Sequence, residues 1–324
     1  MPALSSLDLA GVARFLLSPE CKSVSILTGA GVSVAAGIPD FRSPGGMYST
    51  LRPELITATP AQRARMAANP TAVVEKSMWF ENPFPYLEVR RPFILGTRER
   101  KWKATLSHRF FELLHAKGKL TRLYTQNIDG LDYQLALPPS SVVPVHGSIG
   151  QAACEACGHA HDFDVFCERV ATGIKDIYKE DAPAPAESSL AAATCDACGR
   201  PAVKPTTVLF GASLPRRFFE SAQADLPTTD LLIVAGTSLV VSPANSLVYS
   251  VPESTVRLIV NNEPVGAELG VEYGATATRD VFGEGDCDDV CLELMRECGW
   301  LEELRPLLPK LPEASRARLE AALA

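Results

Sequence analysis

The chain has 324 residues, 46% of them hydrophobic and 21% charged, with a formal net charge of −7. This composition describes a globular protein able to bury a large core, excludes general disorder, and suits one sizeable domain plus a smaller one. The acidic balance argues against sequence-independent nucleic-acid binding, with Arg98, Arg100, Lys101 and Lys103 read as a solvated basic face, and no apolar run is long enough to span a membrane.

The first residues, with Asp8 early, read as a domain-opening helix rather than a secretory or transit peptide. The nine cysteines, an odd number without a secretory signal, point to a reducing compartment. Cytoplasmic or nuclear residence is therefore expected ahead of mitochondrial. Cys21, Cys167, Cys287, Cys291 and Cys298 read individually as small buried residues.

The first strand is expected in Val24, Ile26 and Leu27, ending in Thr28-Gly29-Ala30-Gly31. Glycines after a buried strand let the backbone approach a phosphate, and the small residues that follow can start a helix. The dinucleotide fingerprint is altered, because Val34 takes its third glycine position and no clear acidic residue follows about 20 positions on. Between Ser43 and Lys103 the strand pattern disappears. Met66, Val73, Val74, Met78, Trp79 and Phe80 suggest helices with buried faces, broken by Pro83, Pro85 and Pro92. Ser107–Lys117 reads as a helix on which His108 and His115 are structural.

Five further apolar runs are expected as strands. Leu120–Tyr124 leads into Thr125-Gln126-Asn127-Ile128-Asp129-Gly130, and Val142–Val145 into His146-Gly147. Thr207–Phe210 leads into Gly211, Leu231–Ala235 into Gly236-Thr237-Ser238, and Val256–Val260 into Asn261-Asn262-Glu263. Runs without clean alternation suit strands covered on both faces. Ligands of open α/β sheets sit beyond the strands' carboxyl ends, so these termini should converge on one nucleotide crevice.

Cys154-Glu-Ala-Cys157-Gly158 and Cys195-Asp-Ala-Cys198-Gly199 form paired CxxC knuckles. Four thiolates so spaced describe a closed, tetrahedral structural zinc site. His159 and His161 lie close enough to replace a cysteine, and one CxxC could serve as a redox pair. Asp181-Ala-Pro-Ala-Pro-Ala-Glu-Ser-Ser between the knuckles reads as a surface insertion. The expected fold is a Rossmann-like parallel α/β sheet carrying an inserted smaller domain made of a helical module and a zinc ribbon. Residues 1–43, 104–149 and 206–300 form the first domain, 44–103 and 150–205 the second, and 301–324 a C-terminal tail of short helical pieces.

GAGVSVAAGIPDFRSPGG, TQNIDGL, HG, the paired CxxC motifs, GTSL, NNEPVG and GDCDDV resemble, in order and spacing, the sirtuin family. The resemblance runs from about Leu4 to Trp300 and is nearest the deacetylase branch. It implies an NAD-dependent protein-lysine deacetylase, a transferase that moves the acyl group from lysine to ADP-ribose and releases nicotinamide. NAD is then a co-substrate, beside one structural zinc. Acyl-lysine proteins would be the partners, histones or tubulin-like proteins among them, with no membrane or nucleic acid. A mono-ADP-ribosyltransferase on the same fold is the alternative, and a non-catalytic zinc module the third reading.

The resemblance also implies residue roles. The Gly29, Ala30, Gly31 and Ser33 turn and Arg42 would hold the diphosphate, with Gly236, Thr237 and Ser238 in the same region. Asn261, Asn262 and Glu263 would serve the adenosine side, with Cys287 against the adenine. Ala30, Ile38, Asp40, Phe41, Asn127, Ile128 and Asp129 would wall the nicotinamide-ribose pocket, and Gln126 would contact the ribose. His146 would be the general base on a ribose hydroxyl, as suits an imidazole in a cleft, and Asn127 would orient water. Val208, Leu209, Phe210 and Gly211 would bind the substrate peptide, the Thr207–Ala212 strand pairing with it between the domains. Two departures from the family pattern are Ala212, where an acidic residue is usual, and Leu209, where an aromatic is common.

Overall fold

The computed structural model describes residues 4–38, 50–179 and 184–324. Helix α1 (Leu9–Leu17) opens the fold, capped by Asp8, whose carboxylate accepts the Gly11 N–H. Strand β1 (Val24–Thr28) follows, buried along its whole length. The chain then passes through α2 (Pro60–Ala68), α3 (Lys76–Glu81), α4 (Phe84–Arg98) and α5 (Leu106–Ala116). It returns as β2 (Leu120–Thr125) and β3 (Val142–Pro144). Next come β4 (Ala152–Cys154), β5 (Ala160–His161), α6 (Phe163–Gly173) and β6 (Val203–Pro205). The last part holds α7 (Arg216–Asp225), β7 (Leu231–Ala235), β8 (Val256–Asn261), β9 (Asp280–Glu284), α8 (Cys287–Glu297) and α9 (Glu313–Leu323).

Six parallel strands form one sheet in the order β3-β2-β1-β7-β8-β9. The chain winds outward from β1 in both directions, so strand order reverses between β1 and β7. The strands are buried on both faces, and alternate residues feed opposite layers. Ile26, Ile233 and Leu258 point into a core with α1, α5 and α8, while Leu27, Val234 and Ile259 join a core with Phe218 of α7. This is the doubly wound architecture expected from the apolar runs.

The sixth strand is not the expected one. Thr207–Phe210 lies outside the sheet and, among the described residues, makes only an isolated parallel bridge, Phe210 to Glu75. Its backbone is claimed elsewhere: Val208 N–H donates to His146 O at 2.8 Å and Phe210 N–H to Val74 O at 2.9 Å. β9 takes the edge instead, pairing Val281 with Leu258.

A separate core contains Met66, Met78, Trp79, Leu87 and Ile94 together with Ile149, Phe166, Val170, Val203 and Leu209. It joins the two non-sheet segments, and β4 carries antiparallel β5 and β6 on either side. The prolines do not break α4 as expected. Pro83 precedes it, Pro85 occupies its first turn, and Pro92 lies inside it. Burial of Tyr86, Leu87, Ile94 and Leu95 outweighs the cost of an internal proline, about 3 kcal/mol.

Residues after Trp300 are integral to the sheet domain's core. A 3-10 helix, Leu301–Lys310, contributes Leu304, and α9 contributes Leu319. The Ser315 hydroxyl donates to Asp288 Oδ2 at 2.5 Å, and Asp288 Oδ1 accepts from Ser107 N–H and Oγ–H at 2.8 and 2.6 Å.

Candidate active site and metal centre

The crevice forms where β1 and β7 part. Gly29 N–H donates to Ala235 O at 3.0 Å and Gly31 N–H to Gly236 O at 2.8 Å. A Cβ on Gly29 would come within 2.6 Å of the Gly236 carbonyl oxygen, and one on Gly31 within 2.5 Å of the Gly236 Cα. The glycines are thus required by close packing of two loops as well as by any ligand above them. After Gly29 the chain forms a 3-10 helix, Ala30–Ala36, rather than the expected α-helical start. Thr28 Oγ1, at the carboxyl end of β1, is a buried polar atom without a hydrogen-bond partner among the described residues.

Side chains from the β1, β2 and β7 ends then lock together. Asn127 Nδ2 donates to Gly29 O at 2.9 Å and to Ser33 Oγ at 3.1 Å. The Ser33 hydroxyl donates to Asp129 Oδ2 at 2.7 Å, while Asp129 Oδ1 accepts the Leu131 N–H at 2.9 Å. Asp129 therefore holds the first N–H of the 3-10 helix Leu131–Gln134 with one oxygen and faces Ser33 with the other. Gln126 Nε2 donates to Thr237 Oγ1 at 3.0 Å. His146, half-buried just beyond β3, places Nδ1 2.9 Å from Gln126 O. The carbonyl can only accept, so the ring hydrogen sits on Nδ1 and Nε2 carries the lone pair.

Gly29, Gly31, Ser33, Gln126, Asn127, Asp129, His146, Gly236 and Thr237 thus meet in one bonded constellation. Ala30 and Ser238 are exposed beside it, and Ile38 and Ile128 are half-buried. Asn261 closes β8, with Asn262 and Glu263 exposed after it, two strands away from β1. Cys287 opens α8 and is buried; burial pushes its thiol up to about 12, so it packs rather than reacts. Asp40, Phe41 and Arg42 lie outside the described residues.

A buried pair beside this constellation was not legible in the sequence. Asp132 follows Asp129 in the Leu131–Gln134 helix, and its Oδ1 lies 3.9 Å from His108 Nε2 of α5. Both side chains are buried. Burial, reinforced by the charge of Asp129, raises the Asp132 carboxyl to about 7, and burial lowers His108 to about 4. The only sequence signal was the second acidic residue in Asp129-Gly-Leu-Asp132.

The knuckles come together as the spacing expected. The four sulfurs of Cys154, Cys157, Cys195 and Cys198 lie within 4.8 Å of one another. Each knuckle closes alike, with Gly158 N–H donating to Cys154 O and Gly199 N–H to Cys195 O, both at 2.8 Å. Gly158 and Gly199 have φ of +75° and +70°, which glycine alone adopts readily. Four soft thiolate donors on two tight turns fit a tetrahedral zinc ion with no open position. His161 does not replace a cysteine: its Nε2 lies 3.3 Å from Cys195 Sγ, a partner to the sulfur.

In the segment bonded to His146 through the Val208 N–H, Val208 is half-buried, Leu209 is buried in the second core, and Phe210 and Gly211 are exposed. Tyr86 is buried beneath them, its hydroxyl 2.5 Å from Thr207 Oγ1, with the Arg90 guanidinium 5.7 Å from its ring centre.

A doubly wound sheet with a polar constellation at its switch point, joined to a four-cysteine metal centre, defines a nucleotide-binding α/β protein with a structural metal module. The model of the Sir2 family matches residues 29–243. The chain is similar to the NAD-dependent protein deacetylase sirtuin-2 of Danio rerio, 35% identical over 95% of this chain and 76% of that protein. It is also similar to sirtuin-3 of Mus musculus, 34% identical over 94% of this chain and 80% of that protein. The NAD-dependent protein deacetylase hst2 of Schizosaccharomyces pombe is 32% identical, with 94% and 80% covered. The chain belongs to the Sir2 family.

Proposed function

We propose that this protein is an NAD-dependent protein-lysine deacetylase, with acyl-lysine proteins as substrates and one structural zinc. The carrying observation is the bonded constellation of Ser33, Gln126, Asn127, Asp129, His146 and Thr237 at the switch point of a Sir2-family fold. The curated relatives are named deacetylases, which favours this reading over ADP-ribosyl transfer.

NAD supplies the ribosyl carbon that takes up the acyl oxygen as nicotinamide leaves. Gly29–Ser33, Gly236, Thr237 and Ser238 bind its diphosphate region, with Asn261, Asn262, Glu263 and Cys287 on the adenosine side. Asp129, held by Ser33, accepts the nicotinamide amide hydrogens, and Gln126 contacts the ribose. His146 takes a proton from a ribose hydroxyl on Nε2, since Gln126 O already fixes the hydrogen on Nδ1. Asn127 orients the water. The substrate peptide runs between the sheet domain (1–43, 104–149, 206–300) and the small domain (44–103, 150–205), along Val208–Gly211. Residues 301–324 belong with the sheet domain by their packing.

The odd number of cysteines, four of them gathered as zinc ligands, favours a reducing compartment, cytoplasmic or nuclear. The deciding assay supplies an acetyl-lysine peptide and NAD and follows nicotinamide and acetylated ADP-ribose. Equal release of both supports the reading; ADP-ribosylated protein without deacetylated peptide rejects it.

A further inference from the structure

Lys204 has no part in the chemistry above, yet its side chain is buried, 1% exposed. An ammonium leaves water only where acceptors meet it. Lys204 lies in β6 opposite Ala153 of β4. Its three N–H donors face three acceptors: Glu155 Oε2 at 3.0 Å, Pro205 O at 3.0 Å and Thr207 O at 2.6 Å. Glu155 stands inside the first CxxC knuckle. Pro205 ends β6, and Thr207 opens the segment that runs on to Gly211.

Two carbonyls on one short stretch, both turned onto one nitrogen, curl the backbone between them. That curl lays the following residues against the candidate base. Thr206 packs so closely on the turn after His146 that a Cβ on Gly147 would lie 2.0 Å from the Thr206 carbonyl oxygen. The Thr206 hydroxyl accepts the Ser148 N–H and donates to Ser148 O, both at 3.2 Å. The Tyr86 hydroxyl, 2.5 Å from Thr207 Oγ1, belongs to a ring centred 6.0 Å from Lys204 Nζ. Val208 N–H then reaches His146 O at 2.8 Å, while Phe210 donates to Val74 O at 2.9 Å and accepts from Lys76 N–H at 3.0 Å. The His146 ring has its own hold through Gln126 O, so Lys204 bears on the segment beside the base and not on the base itself.

We propose that Lys204 is a positioning residue for the acyl-lysine peptide: by gathering the Pro205 and Thr207 carbonyls together with Glu155, it fixes the curl that presents Val208–Gly211 beside His146. The inference rests on the peptide-binding role given to Val208–Gly211 above. An apolar side chain of similar length would leave two carbonyls and a carboxylate buried without their donor, and the curl would open to let water reach them. A peptide that pairs with backbone depends on where that backbone lies, so its affinity falls when the segment shifts. The proposed diphosphate site is built by the β1 and β7 ends, without Lys204, and a dinucleotide should not feel the change.

The test compares Lys204→Met and Lys204→Gln with the unsubstituted protein. Binding of a fluorescent acetyl-lysine peptide is read by anisotropy, binding of ADP-ribose by calorimetry, and zinc content by metal analysis of the same preparations. In Lys204→Met the peptide should bind about ten-fold more weakly, with ADP-ribose affinity and zinc content unchanged. Lys204→Gln keeps two N–H donors for the carbonyls and should fall between. A merely structural role would reduce the number of sites for both ligands and leave the affinity of the remaining sites as it was. Unchanged peptide affinity in either variant, or equal weakening of both ligands, overturns the proposal while leaving the deacetylase reading in place. Should Lys204→Met fail to fold, Lys204→Gln decides alone. An unsubstituted protein that binds ADP-ribose but not the peptide would remove the peptide-binding reading itself, and this proposal with it.

Discussion

His146 and Gln126 are joined side chain to main chain, the imidazole Nδ1 2.9 Å from the carbonyl oxygen. This contact links the end of β3 to the end of β2 and decides the histidine's tautomer. The lone pair is thereby placed on Nε2, which is what the general-base role proposed for His146 requires. His146→Tyr should lower deacetylation about 10²–10⁴-fold, the usual worth of a positioned base. NAD binding should persist, because the proposed diphosphate site is built by the β1 and β7 ends rather than by His146. Single-turnover rates and a dinucleotide titration on one preparation check both halves; near-normal turnover would remove His146 from its role.

The metal centre gives a prediction on folding. Cys195→Ser should lose about one zinc per chain and destabilise the small domain, because structural zinc contributes directly to folding. His161→Ala, removing only the partner of Cys195 Sγ, should keep the zinc but bind it about 10–100-fold more weakly. Metal analysis before and after graded chelation separates the two variants. Full zinc in Cys195→Ser would point to His159, His161 or Cys167 as a ligand instead.

The C-terminal segment gives a prediction on stability. Ser315, fully buried, reaches Asp288, whose other oxygen holds the first turn of α5 through Ser107. Ser315→Ala leaves a buried carboxylate short of one donor and should cost about 1–3 kcal/mol. Leu319→Ala, opening a cavity in the sheet core, should cost about 2–5 kcal/mol. Denaturant midpoints at constant slope measure both. Unchanged midpoints would mean that α9 does not stay packed in solution.

What the sequence revealed, and what it hid, follows from how far apart the partners are. β7 is a continuous apolar run, and β1 and β8 are mostly apolar without clean alternation, because both faces are covered, so a local window is enough to see them. β9 offers only Val281 and Phe282 before Gly283, so its strand character comes from pairing with β8. Thr207–Phe210 has the apolar, β-branched look of a strand, yet Val74 and His146 take its hydrogen bonds. The CxxC pairs were legible because zinc fixes ligand spacing within each knuckle. The Asp132–His108 contact was not, since it exists only once α5 packs against the loop after β2. The packing of residues 301–324 was hidden likewise: Leu304 and Leu319 find their partners on distant helices.

The last prediction concerns acyl choice. A Tyr-x-x-Arg pair in the acyl pocket would suit an acidic acyl group, and between Ser43 and Lys103 the nearest match is Tyr86-Leu-Glu-Val-Arg90, one residue too long. The extra residue matters on a helix: Tyr86 and Arg90 are four apart in α4, on one face, and that face is turned inward. Tyr86 is 1% exposed and bonded to Thr207, and Arg90, 5% exposed, lies against the Tyr86 ring. The nearby Lys204 ammonium is engaged by Glu155 at 3.0 Å and by Thr207 O at 2.6 Å. A succinyl carboxylate arriving beside Val208 would leave water without reaching either cation, at a cost of several kcal/mol. Acetyl-lysine peptide should therefore exceed its succinyl counterpart in kcat/KM by at least about ten-fold. Arg90→Met should leave that ratio unchanged. A succinyl preference that collapses in Arg90→Met would show instead that the guanidinium turns outward to meet the acyl chain.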